Sequence, residues 1–211
     1  DFITRELPVT SHDYIPYSLQ VTMIVDFFDK CPRPTFEQRE QLKQWFWKTS
    51  ISRYFAAFNT AQLAIDLRNV QDFALNIQSQ LRFTRLIDFE NFSNDSFRLN
   101  KATSKTFGLL LASNKPLSLL DGTSINTNTA LAVVNRHEYH HIFPKAFLRS
   151  NGYSLDQIDN HSNICMLSLG NNREISDTKP SIYFKTLIEK LGGNLDRVLA
   201  SNLINKEALD A

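Results

Sequence analysis

Hydrophobic residues recur at intervals of three and four along most of this chain, which is the spacing of amphipathic helices. Three such segments follow one another in the first half, at residues 17–28, 35–58 and 61–81. Thr35 and Gln38 form a capping-box pattern, in which the threonine oxygen accepts an amide proton and the glutamine reaches back. The pattern therefore predicts a first half built of helices.

A polar stretch at 88–100 is interpreted as a connector, and Asn100 is expected to cap a helix over 101–113. After residue 125 the pattern changes. Residues rich in β-formers predict one strand from Ala130 to Ile142, and the segment NICMLSL predicts a second. Between them we expect a short helix at 145–150 and another that Ser154 caps. We further expect helices within 172–177, from Pro180 to Gly192, and from Asn194 to Ile204.

These elements predict a mainly α fold with a small strand–strand–helix element, and thus an α+β class. We expect a helical domain over residues 1–125 and a second domain over 126–211, closed by the C-terminal helices. Sixteen phenylalanines against six glycines also favour helix packing over tight β-turns. For the aromatic cluster Trp45–Trp47 we expect packing in the core rather than stacking on nucleic-acid bases.

Composition and charge exclude little. The 211 residues are 42% hydrophobic and 21% charged, as in an ordinary globular protein, and the net charge is only +1. A surface for nucleic acid must therefore be a local patch. Cys31 and Cys165 are far apart and are expected to be free thiols, which fits a cytoplasmic protein without a membrane segment. Because the chain begins with Asp1, we expect it to be part of a longer protein.

Three of the five histidines lie within five positions, at His137, His140 and His141. On a strand, neighbouring side chains point to opposite faces, so His140 can bind a metal ion while His141 activates water. A neutral imidazole accepts a proton near neutral pH. Asn172 is a candidate second ligand through its oxygen, leaving positions for water and phosphate. Such a site suits Mg²⁺ or Mn²⁺, and Zn²⁺ or Ni²⁺ is possible.

The segments EYHHIFPKAFL and NICMLSLGNNREIS resemble the HNH, or ββα-metal, nuclease pattern. The resemblance implies that His141 is the general base and that His140 and Asn172 are the metal ligands. Asn163, nine positions before Asn172, is implied to brace the loop and orient the base. His140 stands where relatives often carry an acidic residue, and the zinc-binding cysteine pairs of many HNH proteins are absent.

Together with the upstream segment WFWKTSISRYF, these motifs resemble the C-terminal nuclease part of GmrSD-like, modification-dependent restriction proteins. This resemblance implies an endonuclease that cuts DNA in a bacterial defence system. It also implies an N-terminal ParB-like nucleotide-binding domain in the parent protein, which this chain lacks. Arg173, Lys145 and Lys179 are candidates for contact with DNA phosphates, and solvated surface charges are an equal alternative.

Two alternatives stay open. His137-Glu138-Tyr139-His140-His141 contains the H-E-x-x-H pattern of zinc metalloproteases, which works only on a helix and needs a third ligand, for which Glu174 is a nominal candidate. The second alternative is a non-catalytic DNA-binding or assembly module that keeps an inactive ββα element. Taken singly, His137 and His161 are better explained as structural residues.

Overall fold

The computed structural model of the chain describes residues 2–57, 59–131, 139–167 and 179–209. The helices are α1 (Phe2–Arg5), α2 (Ser18–Lys30), α3 (Phe36–Ile51), α4 (Thr60–Ala74), α5 (Phe89–Ser93), α6 (Ala102–Ser113), α7 (Thr127–Ala130), α8 (Lys145–Ser150), α9 (Leu155–Ile158), α10 (Pro180–Leu191) and α11 (Leu195–Ser201). The strands β1 (Tyr139–His141) and β2 (Ile164–Met166) form one antiparallel sheet. The expected class, mainly helical with a small sheet, is confirmed.

Two compact units make up the chain: residues 15–92, here called the helical unit, and residues 1–14 with 93–211, here called the sheet unit. In the helical unit α2 packs against α4, and the ring of Phe27 stacks on that of Phe73 with 5.8 Å between centroids. The core of this unit also takes buried side chains from all three of its long helices, among them Met23, Ile24, Leu42, Trp45, Phe46 and Val70. Core packing of Trp45 and Phe46 is thus confirmed.

Local capping signals place the helix starts in the helical unit. Thr35 and Gln38 form the expected capping box at the start of α3. Asn59, which the sequence analysis did not single out, caps α4 by accepting the amide protons of Ala61 and Gln62. The expectation that α3 runs to residue 58 is wrong. It ends at Ile51, because Arg53 has a φ of +55°, a left-handed conformation that a right-handed helix does not contain.

The sheet unit has its core where the sheet meets the two last long helices. Ile142 and Cys165 pack there with side chains of α10 and α11, including Tyr183, Phe184, Leu187, Leu191, Leu195, Val198 and Leu199. Pro180 is the first residue of α10, and Gly192 ends that helix with a φ of +51°, so both expectations are confirmed. Ser154 forms a capping box at the start of α9, as expected.

Four further expectations need correction. Ala130 is not the start of a strand but the last residue of α7, where Asn126 caps a single helical turn. Asn100 does not cap α6, because Lys101 is the N-cap residue and its amide is already bonded to Arg98. The last helix ends at Ser201 rather than Ile204, since Leu203 has a φ of +60°. The segment 88–100, expected to be a plain connector, contains α5 and pairs with residues near the candidate site.

The remaining expectations concern the cysteines, the helix within 172–177, the domain boundary and a membrane segment. Both cysteines are free thiols, as expected. The helix expected within 172–177 lies outside the described residues. Residues 93–125 lie in one compact unit with the two strands, and the domain boundary expected near residue 125 stays a prediction. Over the described ranges no helix is long and apolar enough to cross a membrane.

Replacing Phe27 by Ala should lower the free energy of unfolding of the helical unit by about 3–5 kcal/mol, because a fully buried aromatic ring leaves a cavity. Both tryptophans of the chain lie in α3, so tryptophan fluorescence during urea denaturation reports on this unit. Phe36→Ala is the matched control, because Phe36 is 79% exposed in the same unit. Equal effects of the two changes would contradict the described core.

Candidate functional site

The candidate histidines lie on β1, next to the strand that follows Asn163. In the antiparallel register His140 is opposite Cys165 and His141 is opposite Ile164. A further bond from the amide of Ile142 to the carbonyl of Asn163, at 2.9 Å, continues the pairing beyond the strand. Because successive strand residues point to opposite faces, the two imidazoles leave the sheet on different sides, as the sequence analysis assumed.

Asn163 ties together two loops that meet at the end of the sheet. Its side-chain oxygen accepts the amide proton of Phe143 at 2.8 Å, and its side-chain nitrogen donates to the carbonyl of Phe143 at 3.2 Å. The same nitrogen donates to the carbonyl of Ile158 at 2.9 Å. Phe143 is two residues after His141, and Ile158 directly precedes Asp159. A single buried amide therefore fixes the distance between the loops that carry these two residues.

His141 contacts an acidic residue that the sequence analysis missed. Its Nε2 atom lies 2.8 Å from Oδ1 of Asp159, and Nζ of Lys145 lies 2.7 Å from the same oxygen. The His141 side chain is 18% exposed and that of Asp159 is 30% exposed. One carboxylate oxygen of Asp159 thus contacts both the imidazole of His141 and the ammonium group of Lys145.

This environment keeps His141 neutral. Desolvation by burial lowers the pKa of His141, the hydrogen bond to Asp159 opposes that shift, and the charge of Lys145 adds to it. For Asp159, burial raises the pKa, but the hydrogen bonds from Lys145 and His141 outweigh burial and the net shift is downward. The result is an ionised carboxylate beside an uncharged imidazole, the protonation state that a general base needs.

An aromatic layer packs beside β1. The ring of His161 lies parallel to that of Phe107, with 4.8 Å between centroids, and its Nε2 lies 3.3 Å from the hydroxyl of Ser104. Phe97 contacts the ring of Tyr139 at 4.7 Å. His161 is fully buried, which supports its interpretation as a structural residue. This layer connects Tyr139 of β1 with His161, which lies two residues before Asn163.

The other predicted site residues have mixed outcomes. Asn172, Arg173, Glu174 and His137 lie outside the described residues, so their roles stay predictions. Lys145, a candidate for phosphate contact, is bound to Asp159 and is 45% exposed. Lys179 is the N-cap residue of α10, and its contact with phosphate stays a prediction.

The protease alternative does not fit the geometry. In the H-E-x-x-H motif both histidines point to one side because they lie one helical turn apart. Tyr139, His140 and His141 form a strand instead, and Pro144 follows before α8 begins. The helix that this motif requires is therefore not present at its second histidine.

The metal site of the sequence prediction is described only in part. Among the side chains that the structure describes, no three His, Cys, Asp or Glu residues form a cluster able to hold a metal ion. The expected donors, the His140 imidazole and the Asn172 amide oxygen, leave most positions to water and phosphate. A mixed nitrogen and oxygen set of this kind fits the divalent cations expected from the sequence, Mg²⁺, Mn²⁺, Zn²⁺ or Ni²⁺.

The strand pairing places Asp159 close to His141. Two antiparallel strands with a connection between them place the residues just after the first strand beside those just before the second. Residues 159–163 therefore had to lie near residues 141–145. Asp159 is the one acidic residue in those two ranges, so the register alone pointed to it as a partner for His141.

Comparisons with known proteins add one relative. The chain is 27% identical over 180 residues to an uncharacterized protein of Methanocaldococcus jannaschii, which covers 82% of this chain. The chain spans 29% of the length of that relative. No family model matches the chain, and no solved structure matches it.

Asn163→Asp should lower the free energy of unfolding by about 2–4 kcal/mol, because it removes two donated hydrogen bonds and turns a buried carboxylate toward two carbonyl oxygens. Urea denaturation followed by circular dichroism measures this change. Asn94→Asp, at an exposed position of the same unit, is the matched control and should change stability little. A similar small effect at both positions would contradict the described contacts of Asn163.

Lys145→Met should raise the pKa of His141, because it removes a positive charge that disfavours the imidazolium. Because the folded-state pKa of His141 is lowered in the parent chain, the unfolded chain binds more protons just below pH 6.5. The free energy of unfolding therefore rises with pH from the folded pKa up to about 6.5. NMR titration of the imidazole with EDTA present measures the shift, and Lys206→Met, which removes a lysine paired with Asp196, is the control.

Proposed function

We propose that this chain is the nuclease part of a metal-dependent endonuclease that hydrolyses phosphodiester bonds of DNA. The observation that carries the proposal is the placement of His141, hydrogen-bonded to Asp159, at the end of a two-stranded sheet, with Asn163 tying the neighbouring loops. The resemblance of residues 138–176 to the HNH pattern supports the same assignment of His141 as base.

The chemistry assigned to His141 follows from its contacts. An ionised carboxylate accepts hydrogen bonds and donates none, so Nε2 of a neutral His141 carries the proton that Asp159 accepts. Nδ1 then holds the lone pair. In the proposed reaction a water molecule gives a proton to Nδ1 as its oxygen bonds to phosphorus, and the bond from phosphorus to the leaving sugar oxygen breaks.

The proposed metal ligands are His140 and Asn172, on the resemblance and on the donor types. When bound, a divalent cation supplies positive charge that stabilises the scissile phosphate and the leaving oxygen. His140 suits this role because it leaves the sheet on the face opposite His141, so the base and the ligand do not compete for one position.

An open groove next to Asn163 offers space for the substrate. It has a volume of about 810 Å³, and Phe143 and Asn163 line it together with Phe147, Asn151, Tyr153 and Asn160. Aromatic rings are groups on which the bases of single-stranded nucleic acid stack. We propose that the DNA strand passes along this groove toward His141, two residues before Phe143 of the lining. Lys145, Lys179 and Arg173 stay the phosphate contacts predicted from the sequence.

The proposed biological setting is a bacterial defence system in which a ParB-like domain of the same parent protein controls the nuclease. This part of the proposal rests on the resemblance to GmrSD-like proteins. Protection of cells from phage by the intact parent gene, with loss of protection for His141→Ala, is the expected result. Equal behaviour of the two genes would contradict the defence role.

Plasmid cleavage with Mg²⁺ or Mn²⁺ tests the proposed activity. His141→Ala should reduce the rate by about 10²–10⁴, the usual contribution of a general base, and EDTA should abolish cleavage. His12→Ala is the matched control, because the His12 side chain is 88% exposed in the same unit and should leave the rate unchanged. Cleavage that survives in His141→Ala overturns the assigned base. DNA that is bound but not cut by the parent chain supports the alternative of a binding or assembly module.

A further inference from the structure

The contact between His141 and Asp159 is not a chance surface ion pair. The backbone of Asp159 is held on both sides: its carbonyl accepts the amide proton of Phe97 at 2.5 Å, and its amide donates to Leu155 at 2.9 Å. Asn160 forms a β-bridge with Ser96. Asp159 therefore presents its carboxylate from a fixed backbone, which a mobile surface side chain does not do.

Lys145 has an electrostatic reason to face Asp159. It is the first residue of α8, where the partial positive charge of a helix N-terminus disfavours a basic side chain. An ammonium group at this position is stabilised by the carboxylate oxygen 2.7 Å away. The positive charge of Lys145 favours the ionised form of Asp159, and an ionised carboxylate can only accept a hydrogen bond. The same oxygen faces His141, so it accepts from the imidazole.

Asp159 is also unsuited to bind a metal ion. Its Oδ1 atom already contacts Nζ of Lys145 and Nε2 of His141, so a cation there would displace an ammonium group and meet its charge. The remaining role for this carboxylate is to act through the imidazole. An imidazole fixed by an acceptor on one nitrogen presents its other nitrogen in one direction only.

We propose that Asp159, kept ionised by Lys145, is a positioning residue that accepts the Nε2 proton of His141 and so fixes the tautomer and ring orientation of the base. This inference rests on the nuclease function proposed above; it adds Asp159 to that site and gives Lys145, already a candidate phosphate contact, a role in holding Asp159. Asn163 completes the arrangement, since its amide sets the spacing of the loops on which His141 and Asp159 lie.

Nitrogen-15 NMR of histidine-labelled protein tests the proposal without any need for cleavage. The spectrum is recorded near neutral pH with EDTA, and the His141→Ala spectrum identifies the His141 signals among the five histidines. In the parent chain Nε2 should carry the proton and Nδ1 should be unprotonated. Asp159→Ala should speed exchange of the Nε2 proton by about tenfold or more, the factor that a hydrogen bond to a charged group supplies.

Two further variants separate positioning from a loss of structure. Asp159→Asn keeps an acceptor oxygen, so it should retain more of the protection of the Nε2 proton than Asp159→Ala does. Asp196→Ala is the matched control, because Asp196 in the same unit is also paired with a lysine, Lys206, at 2.9 Å and is 75% exposed. It should leave the His141 signals unchanged.

The cleavage assay gives a second measurement. Asp159→Ala should lower kcat by about 10–100-fold, as for misplacement of a reacting group by about 1 Å, with KM for DNA little changed. Unchanged exchange of the Nε2 proton in a folded Asp159→Ala, or an Nδ1-protonated tautomer in the parent chain, overturns the proposal whether or not the protein cuts DNA. If the NMR result is as predicted but the protein cuts no DNA, the nuclease function is overturned. The hydrogen bond between His141 and Asp159 is then still supported.

Discussion

The buried amide of Asn163 is the contact on which the candidate site depends. Its side chain satisfies both polar groups of the Phe143 backbone and also the carbonyl of Ile158. An isolated two-stranded sheet is marginally stable by itself. Here the side chain of Asn163 adds three hydrogen bonds to the two loops next to the sheet. The neighbouring side chains, His141 on one loop end and Asp159 on the other, are then held at hydrogen-bonding distance.

A second constraint acts through charge. His141 is mostly buried, and burial alone disfavours a charged imidazole, whereas an adjacent carboxylate favours it. The two effects oppose each other, burial is the larger one, and the charges of Lys145 and His140 lower the pKa of His141 further. The same Lys145 lowers the pKa of Asp159. Lys145 therefore lowers the pKa of both residues, which favours an ionised carboxylate beside a neutral imidazole.

The sequence predicted well those features that short segments determine. The capping boxes at Thr35 and Ser154 involve residues three positions apart, and both are present. Pro180 and Gly192 bound α10 for equally local reasons. Two local errors concern helix boundaries, since Asn100 does not cap α6, whose N-cap residue is Lys101, and Ala130 ends a helical turn instead of starting a strand. The larger error concerns residues that are distant in sequence. Asp159 was missed because its partner is 18 positions away and no motif joins them.

The segment 95–97 shows how a stretch that looks like a connector becomes part of a site. Nothing in its composition suggests pairing, yet Phe97 donates to the carbonyl of Asp159 and Asp95 accepts from the amide of His161. The buried ring of His161, stacked on Phe107, anchors this loop in the core. The loop that carries Asp159 is thus fixed by contacts that contain none of the residues expected to react. The residues that hold the loop in place therefore differ from the residue that faces the imidazole of His141. Substitutions in the supporting set should act on folding first and on the proposed reaction only through the position of Asp159.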